Sequence, residues 1–311
     1  MQLARQLFDR EMDGEYETFA GAAALYADVF GEEGLAEYRR LASEAWEKLP
    51  ARTGQIRAHQ EPPEGYDQLK AILDFFAEQD GNVEARIALR AKDLSSPWSY
   101  LQLAEFCLSQ GRGEEALRRA EEGLWIFEDG RPDERLVFFA ADLLSKAGRE
   151  SDAEAHLQRA FEKAPSLALY ARWRELSGEA AREGAVTFLE GRLSTAKRTA
   201  WDQPADLLIR ILAQEKMYDA AWAAVRGHGA SIGVREELAQ ASEATHPHEA
   251  VDAYAARVER LAKSGGNPAY AEAAKLIARL GTLQSAAEQT VYVADIKVRF
   301  GRKRNLIKLL G

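Results

Sequence analysis

The sequence predicts an all-α protein assembled from helical hairpins. Apolar residues recur at three- and four-residue spacing, as in Leu101, Ala104 and Leu108, while alternating β-branched runs are missing. Helix punctuation is frequent. Ser96-Pro97 puts a capping side chain before a proline at the first helical position, and Gly111, Gly148 and Gly281 stand where apolar periodicity lapses.

A chain of 311 residues admits one long helical array or two compact domains. Residues 1–93 read as an N-terminal helical region with turns near Asp13-Gly14, Gly31 to Gly34, Pro50 to Gly65 and Asp80-Gly81. Pro50 to Gly65 lacks periodicity and is the longest candidate linker. Residues 94–311 read as repeated hairpins ending in a basic helix.

The repeat shows in the pairing of Gly111 with Gly148, Arg112 with Arg149 and Ala116 with Ala153, all at an offset of 37. The same register pairs Ala104 with Ala141 upstream and Leu124 with Phe161 downstream. Glycine permits the sharp turn, and the small residues let two helices cross closely. Further along, Pro204 to Ala213 followed by Tyr218-Asp-Ala-Ala-Trp222 keeps the order of helix, turn and alanine, with Lys216 in place of the turn glycine. His246-Pro-His-Glu-Ala250 opens another second helix, residues 166–203 read as an irregular pair, and Pro268 to Leu280 with Leu283 to Phe300 reads as a last pair before a terminal helix at Asn305 to Leu310.

This pattern resembles the tetratricopeptide repeat, in which a glycine precedes an alanine by five residues, a second small residue follows seven later, and a proline ends the unit. Gly148, Ala153, Ala160 and Pro165 match it; the preceding unit departs, with Gly123 and Glu128 at the alanine and proline positions. The fold that the resemblance implies is a right-handed tetratricopeptide-like α-solenoid with an N-terminal helical cap. Longer phrases, among them Gly34-Leu-Ala-Glu-Tyr-Arg39, Lys92-Asp-Leu-Ser-Ser-Pro97, Ala120-Glu-Glu-Gly-Leu124 and Arg302-Lys-Arg-Asn-Leu-Ile-Lys-Leu-Leu310, resemble the helical C-terminal region of bacterial SWIM zinc-finger proteins and a related bacterial family of unknown function. The zinc finger of that family, Cys-x-Cys then Cys-x-His, is absent here, since Cys107 is the single cysteine. The resemblance therefore implies the helical part without its metal module, and it supplies no catalytic residue.

The formal net charge of −9 argues against broad nucleic-acid binding by the body of the chain. No cationic segment followed by a long apolar run opens the sequence, and every apolar stretch is interrupted well short of the roughly 18 residues a membrane span needs. With a lone cysteine in an apolar run, the expectation is a cytoplasmic bacterial protein with a buried structural thiol.

Catalytic and metal constellations are poor. Zinc needs about four ligands, and only His59, His156, His228, His246 and His248 accompany Cys107. Arg149 and His156 have an Arg-x6-His spacing seen in some helical ribonucleases, yet Arg149 falls in a repeat turn. No phosphate-binding loop, Gly-x-Ser-x-Gly elbow or His-Glu-x-x-His motif occurs. The expectation is a non-enzyme without cofactor or metal, a scaffold that binds a protein or peptide partner.

In a tetratricopeptide register the solvent-facing positions of first helices contact the partner. These positions are Trp98, Leu101 and Glu105, then Arg135, Phe138, Asp142 and Lys146, then Asp206 and Arg210, with Leu101 and Phe138 also readable as inter-repeat core. The alternative surface is a basic patch of Lys297, Arg299, Arg302, Lys303, Arg304 and Lys308, which reads as a cap of the repeat array or as a contact for nucleic acid or an acidic partner.

Overall fold

The structure is a computed structural model that describes residues 1–13, 19–54, 62–195 and 205–311. Among these residues it is all-helical apart from one two-residue parallel pair. Two compact units divide the chain, Met1–Ala164 and Pro165–Gly311. Gly14, His59 and Trp201 lie outside the described residues, as does the middle of the linker candidate, residues 55–61.

The first unit opens with α1 (Gln2–Asp13), α2 (Ala22–Leu25) and α3 (Ala27–Lys48). Where a turn is expected at Gly31 to Gly34, α3 instead kinks at Gly31 (φ 61°) and continues. Only glycine takes that conformation freely. Gly34 is buried close to the Phe30 side chain, inside the helix. Tyr38 is fully buried here, its hydroxyl donating to the buried carboxylate of Glu11, whose other oxygen accepts the Gly21 N–H at 2.8 Å. Phe8 packs edge-on against Tyr38 at 5.4 Å, and Trp46 packs on Tyr66 at 4.9 Å.

Strand β1 (Arg52–Thr53) pairs in parallel with β2 (Asp93–Leu94). Between them lie α4 (Tyr66–Gln79) and α5 (Val83–Ala91). Asp74 on α4 accepts from Arg86 at 3.0 Å and Arg90 at 2.6 Å on α5, and both guanidinium groups lie over the Phe106 ring. One carboxylate thus holds the hairpin closed and the two arginines carry it onto the next helix.

Then follow α6 (Pro97–Ser109), α7 (Gly113–Ile126), α8 (Glu134–Lys146) and α9 (Glu150–Lys163). Ser96 caps α6 as its sequence predicts, accepting from the Ser99 N–H at 3.1 Å, with Pro97 in the first turn. Ala104, Ala116, Ala120 and Ala153 are fully buried, where their small size brings helices together. Gly123 is not a defect in the repeat. A Cβ there would stand 2.7 Å from the Tyr100 side chain, so the tyrosine of one helix occupies the space that alanine would take on the other.

In the second unit, α10 (Leu167–Ser177) and α11 (Glu179–Thr195) form the irregular pair, and α12 (Ala205–Gln214) and α13 (Tyr218–His228) form a hairpin. Next come α14 (Ile232–Ser242), α15 (Pro247–Ser264), α16 (Asn267–Leu283), α17 (Ala286–Arg299) and α18 (Arg304–Leu309). Gly281, read as a turn, lies inside α16, which runs on to Leu283; α17 then starts at a capping box made by Ser285 and Glu288.

One turn recurs four times. At Gly81, Gly111, Gly148 and Lys216 the backbone has φ of 64°, 75°, 72° and 58°. At each, the next N–H reaches back to a carbonyl of the preceding helix: Asn82 to Ala77 at 2.8 Å, Arg112 to Cys107 at 3.0 Å, Arg149 to Leu144 at 2.9 Å and Met217 to Leu212 at 2.8 Å. This bond closes a helix end by satisfying an orphan carbonyl. The Lys216 turn thus has the geometry of the glycine turns, and Lys216 is the one non-glycine residue at positive φ among the described residues. Among the described residues, no helix is long and apolar enough to cross a membrane.

Candidate functional site

The exposed faces of α6 and α8 carry the candidate surface of the first unit. Trp98, in the first turn of α6, is 43% exposed, a large apolar group left in water. The Arg135 guanidinium lies over its ring, 4.5 Å from the centroid. Arg135 is itself held by Asp133, which accepts its side chain at 2.7 Å and its backbone N–H at 3.0 Å. Asp133 is therefore both the N-cap of α8 and the anchor of the arginine. The Arg135 hydrogen bond holds the Asp133 carboxyl below the usual range, and Asp133, with Glu105 nearby, holds Arg135 firmly protonated. An indole, a cation and a carboxylate are thus fixed side by side before any partner arrives.

Glu105 is exposed on α6; on α8, Phe138 and Asp142 are half-buried and Lys146 is exposed. Spacings of four put Phe138, Asp142 and Lys146 on one face. Leu101 does not belong to this surface. It is 3% exposed and packs in the core with Leu103 and Leu136, which settles its double reading in favour of packing. Asp133 was missed in the sequence, although an Asx residue after a proline and before an apolar helix is a capping signal.

Asp206 and Arg210 lie on α12 in the second unit. Asp206 accepts the Ser231 N–H at 2.8 Å, and Arg210 makes a two-pronged pair with Glu237 at 2.8 and 3.0 Å. Both are thus engaged in holding α14 to α12. Glu237 is kept below the usual carboxyl range by that arginine.

The basic segment is divided in its roles. Arg299 pairs with Glu259 at 2.7 Å and Asp295 at 3.2 Å, and Lys297 donates to the Gly311 carbonyl. Arg302, Lys303, Arg304 and Lys308 make no ion pair among the described residues, and Arg302, Arg304 and Lys308 are exposed. Leu306 is fully buried, so α18 docks by its apolar side.

Arg149 is taken up by Glu121 at 3.2 Å and Asp152 at 2.7 Å, while His156 is half-buried, its imidazole pushed below the ordinary value by burial and then by Arg159. His246 bonds Asp219 at 3.0 Å and Thr245 at 2.9 Å; His248 is exposed. Cys107 is fully buried, its thiol pushed up by burial. Among the described residues no three His, Cys, Asp or Glu side chains converge on a common point where a metal ion would bind.

No protein-family model matches the chain, and no curated protein matches its sequence.

Proposed function

We propose that this chain is a non-catalytic helical-repeat scaffold, built as a right-handed tetratricopeptide-like solenoid and related to the helical region of bacterial SWIM zinc-finger proteins, that binds a protein or peptide partner in the bacterial cytosol. The observation that carries the reading is the Trp98–Arg135 stack, with Arg135 fixed by Asp133 on the first helices of two successive hairpins. A rigid aromatic beside a pre-aligned guanidinium loses little entropy on binding and suits a peptide that offers carboxylates and an apolar side chain. Repetition of the turn at Gly111 and Gly148 supports the placement of both residues at equivalent ends of their hairpins.

The test is affinity capture from the native host with the wild-type chain and with a Trp98→Ala, Arg135→Ala, Lys146→Ala triple variant. All three side chains are exposed, so helical content measured by circular dichroism is expected to be unchanged. Partners captured by the wild type are expected to be lost by the variant. An identical partner set would remove the groove assignment.

A second reading, contact with nucleic acid, is favoured by the four cations of the C-terminal segment that have no ion pair among the described residues. If all four meet phosphates of a duplex, log K should fall with log salt at a slope of about −3.6. Absent binding, or binding indifferent to salt, would sink it.

A further inference from the structure

A pocket of about 180 Å³ lies within the first unit, next to the groove: none of the eight proposed partner-binding residues lines it, but Pro97, the neighbour of Trp98, and Asp133, which holds Arg135, do. Its walls come from the end of α7, the connection Phe127–Asp133, the start of α8 and one face of α9. That connection stands where the repeat pattern expects a closing proline and has Glu128 instead. The chain detours, and space opens between the helices.

The interior of this pocket is apolar, with Leu124, Phe127, Leu136 and Val137 on its walls. The rim is cationic. Arg159 and Lys163, four residues apart on α9, and Arg131 from the connection are all exposed and make no ion pair among the described residues. Two of the three acids at the pocket are already engaged, Glu121 by Arg149 at 3.2 Å and Asp133 by Arg135 at 2.7 Å; Glu128 alone has no cation among the described residues. The uncommitted charge is therefore positive. An apolar hole beside unpaired guanidinium and ammonium groups is complementary to a molecule with an apolar body and an anionic end.

We propose that this pocket binds a small amphipathic carboxylate, its aryl or alkyl body between Leu124, Phe127, Leu136 and Val137 and its carboxylate against Arg159 and Lys163. Carboxylate and guanidinium match in a planar fork, which favours Arg159 as the orienting contact. The space suits a ligand the size of one aromatic side chain with a short tail. The site borders the partner groove through Asp133, but the contacts proposed for the ligand, Arg159 and Lys163, are not among the partner-binding residues, so a test that removes them reads the pocket alone.

The experiment is calorimetric titration of the full chain, with saturation-transfer NMR, using hydrocinnamate, its neutral counterpart hydrocinnamyl alcohol, and acetate. Hydrocinnamate is expected to saturate one site with a Kd of about 1 mM or tighter. The alcohol, which lacks the charge, and acetate, which lacks the apolar body, are each expected to bind at least about tenfold more weakly. An Arg159→Gln, Lys163→Gln double variant, both positions being exposed, is expected to keep its helical spectrum and lose at least about tenfold in affinity. Arg118→Gln removes a positive charge outside the pocket and should leave binding unchanged. Alcohol binding as tight as hydrocinnamate, undiminished binding by the double variant, equal loss in Arg118→Gln, or no saturable binding would each overturn the proposal.

Discussion

Arg149 reaches from the start of α9 back to Glu121 on α7 at 3.2 Å, and Arg112 makes the same contact from α7 to Glu84 on α5. The two arginines also bind the acid three residues ahead, Glu115 at 3.1 Å and Asp152 at 2.7 Å. Both pairs are displaced by 37 residues, the offset that aligns the glycine turns. The repeat is thus written in electrostatic contacts between hairpins as well as in turns, and Glu84 links α5 into the same series.

These pairs are open to water. Arg112 and Glu84 are 34% and 72% exposed, and screening removes most of what such a contact contributes. Double-mutant cycles on Arg112–Glu84 and Arg149–Glu121, followed by urea unfolding, are expected to show additive midpoint shifts. Strong coupling in either cycle would mean that the pairs hold the hairpins together rather than mark their register.

The turn at Lys216 stores strain that glycine would relieve, because an L side chain disfavours the left-handed region. Lys216→Gly is expected to raise the unfolding free energy by about 0.5–1 kcal/mol. Gly148→Ala, with open space around it but φ of 72°, is expected to lower it by about 1 kcal/mol. Urea denaturation compares the three chains; a stabilising Gly148→Ala would contradict the assignment of the turns.

Gly123→Ala drives a methyl group to 2.7 Å from Tyr100, a contact that requires one of the helices to move. The expected cost is about 1–3 kcal/mol, accompanied by a changed near-ultraviolet circular dichroism spectrum as Tyr100 shifts. A variant as stable as the wild type, with an unaltered spectrum, would show that α6 and α7 do not approach so closely in solution.

Burial alone would raise the Asp74 carboxyl, but hydrogen bonds from Arg90 and Arg86 outweigh it and bring the group down to about 2. A depressed folded pKa means that the unfolded chain takes up the proton first on acidification. The stabilisation is then complete above about pH 4 and is lost as pH falls toward about 2. Asp74→Asn is expected to cost about 2 kcal/mol at neutral pH and to flatten the acid limb of the stability curve. Denaturant midpoints measured across that range decide it; an unchanged acid limb in the variant would refute the role of Asp74.

The hairpins could be read from sequence where the backbone requires a particular residue type. Gly111 and Gly148 meet that condition, since their turns need positive φ, and Ser96-Pro97 meets it as a cap and first turn. The role of Gly123 was out of reach because its reason, Tyr100, lies on another helix. Gly281 misled for the opposite reason: glycine is tolerated near the end of a helix without ending it. On the candidate surface, helical spacing was enough to put Trp98 and Arg135 on neighbouring exposed faces, but it could not tell Leu101 from them, since one step around a helix separates its solvent and core sides. The pocket beside α7 left in the sequence only the missing closing proline at Glu128, which marks a departure from the repeat but not the space that the connection opens.

The recurring turn also bears on how the chain comes to be folded. Each closing bond, from Arg112 to Cys107 or from Met217 to Leu212, spans five residues, and each hairpin it completes occupies one short stretch of chain. Such contacts need little loop-closure entropy and form early. As the polypeptide leaves the ribosome, α6 and α7 can pair before α8 has been synthesised, so that assembly proceeds from the N-terminus in the order of translation.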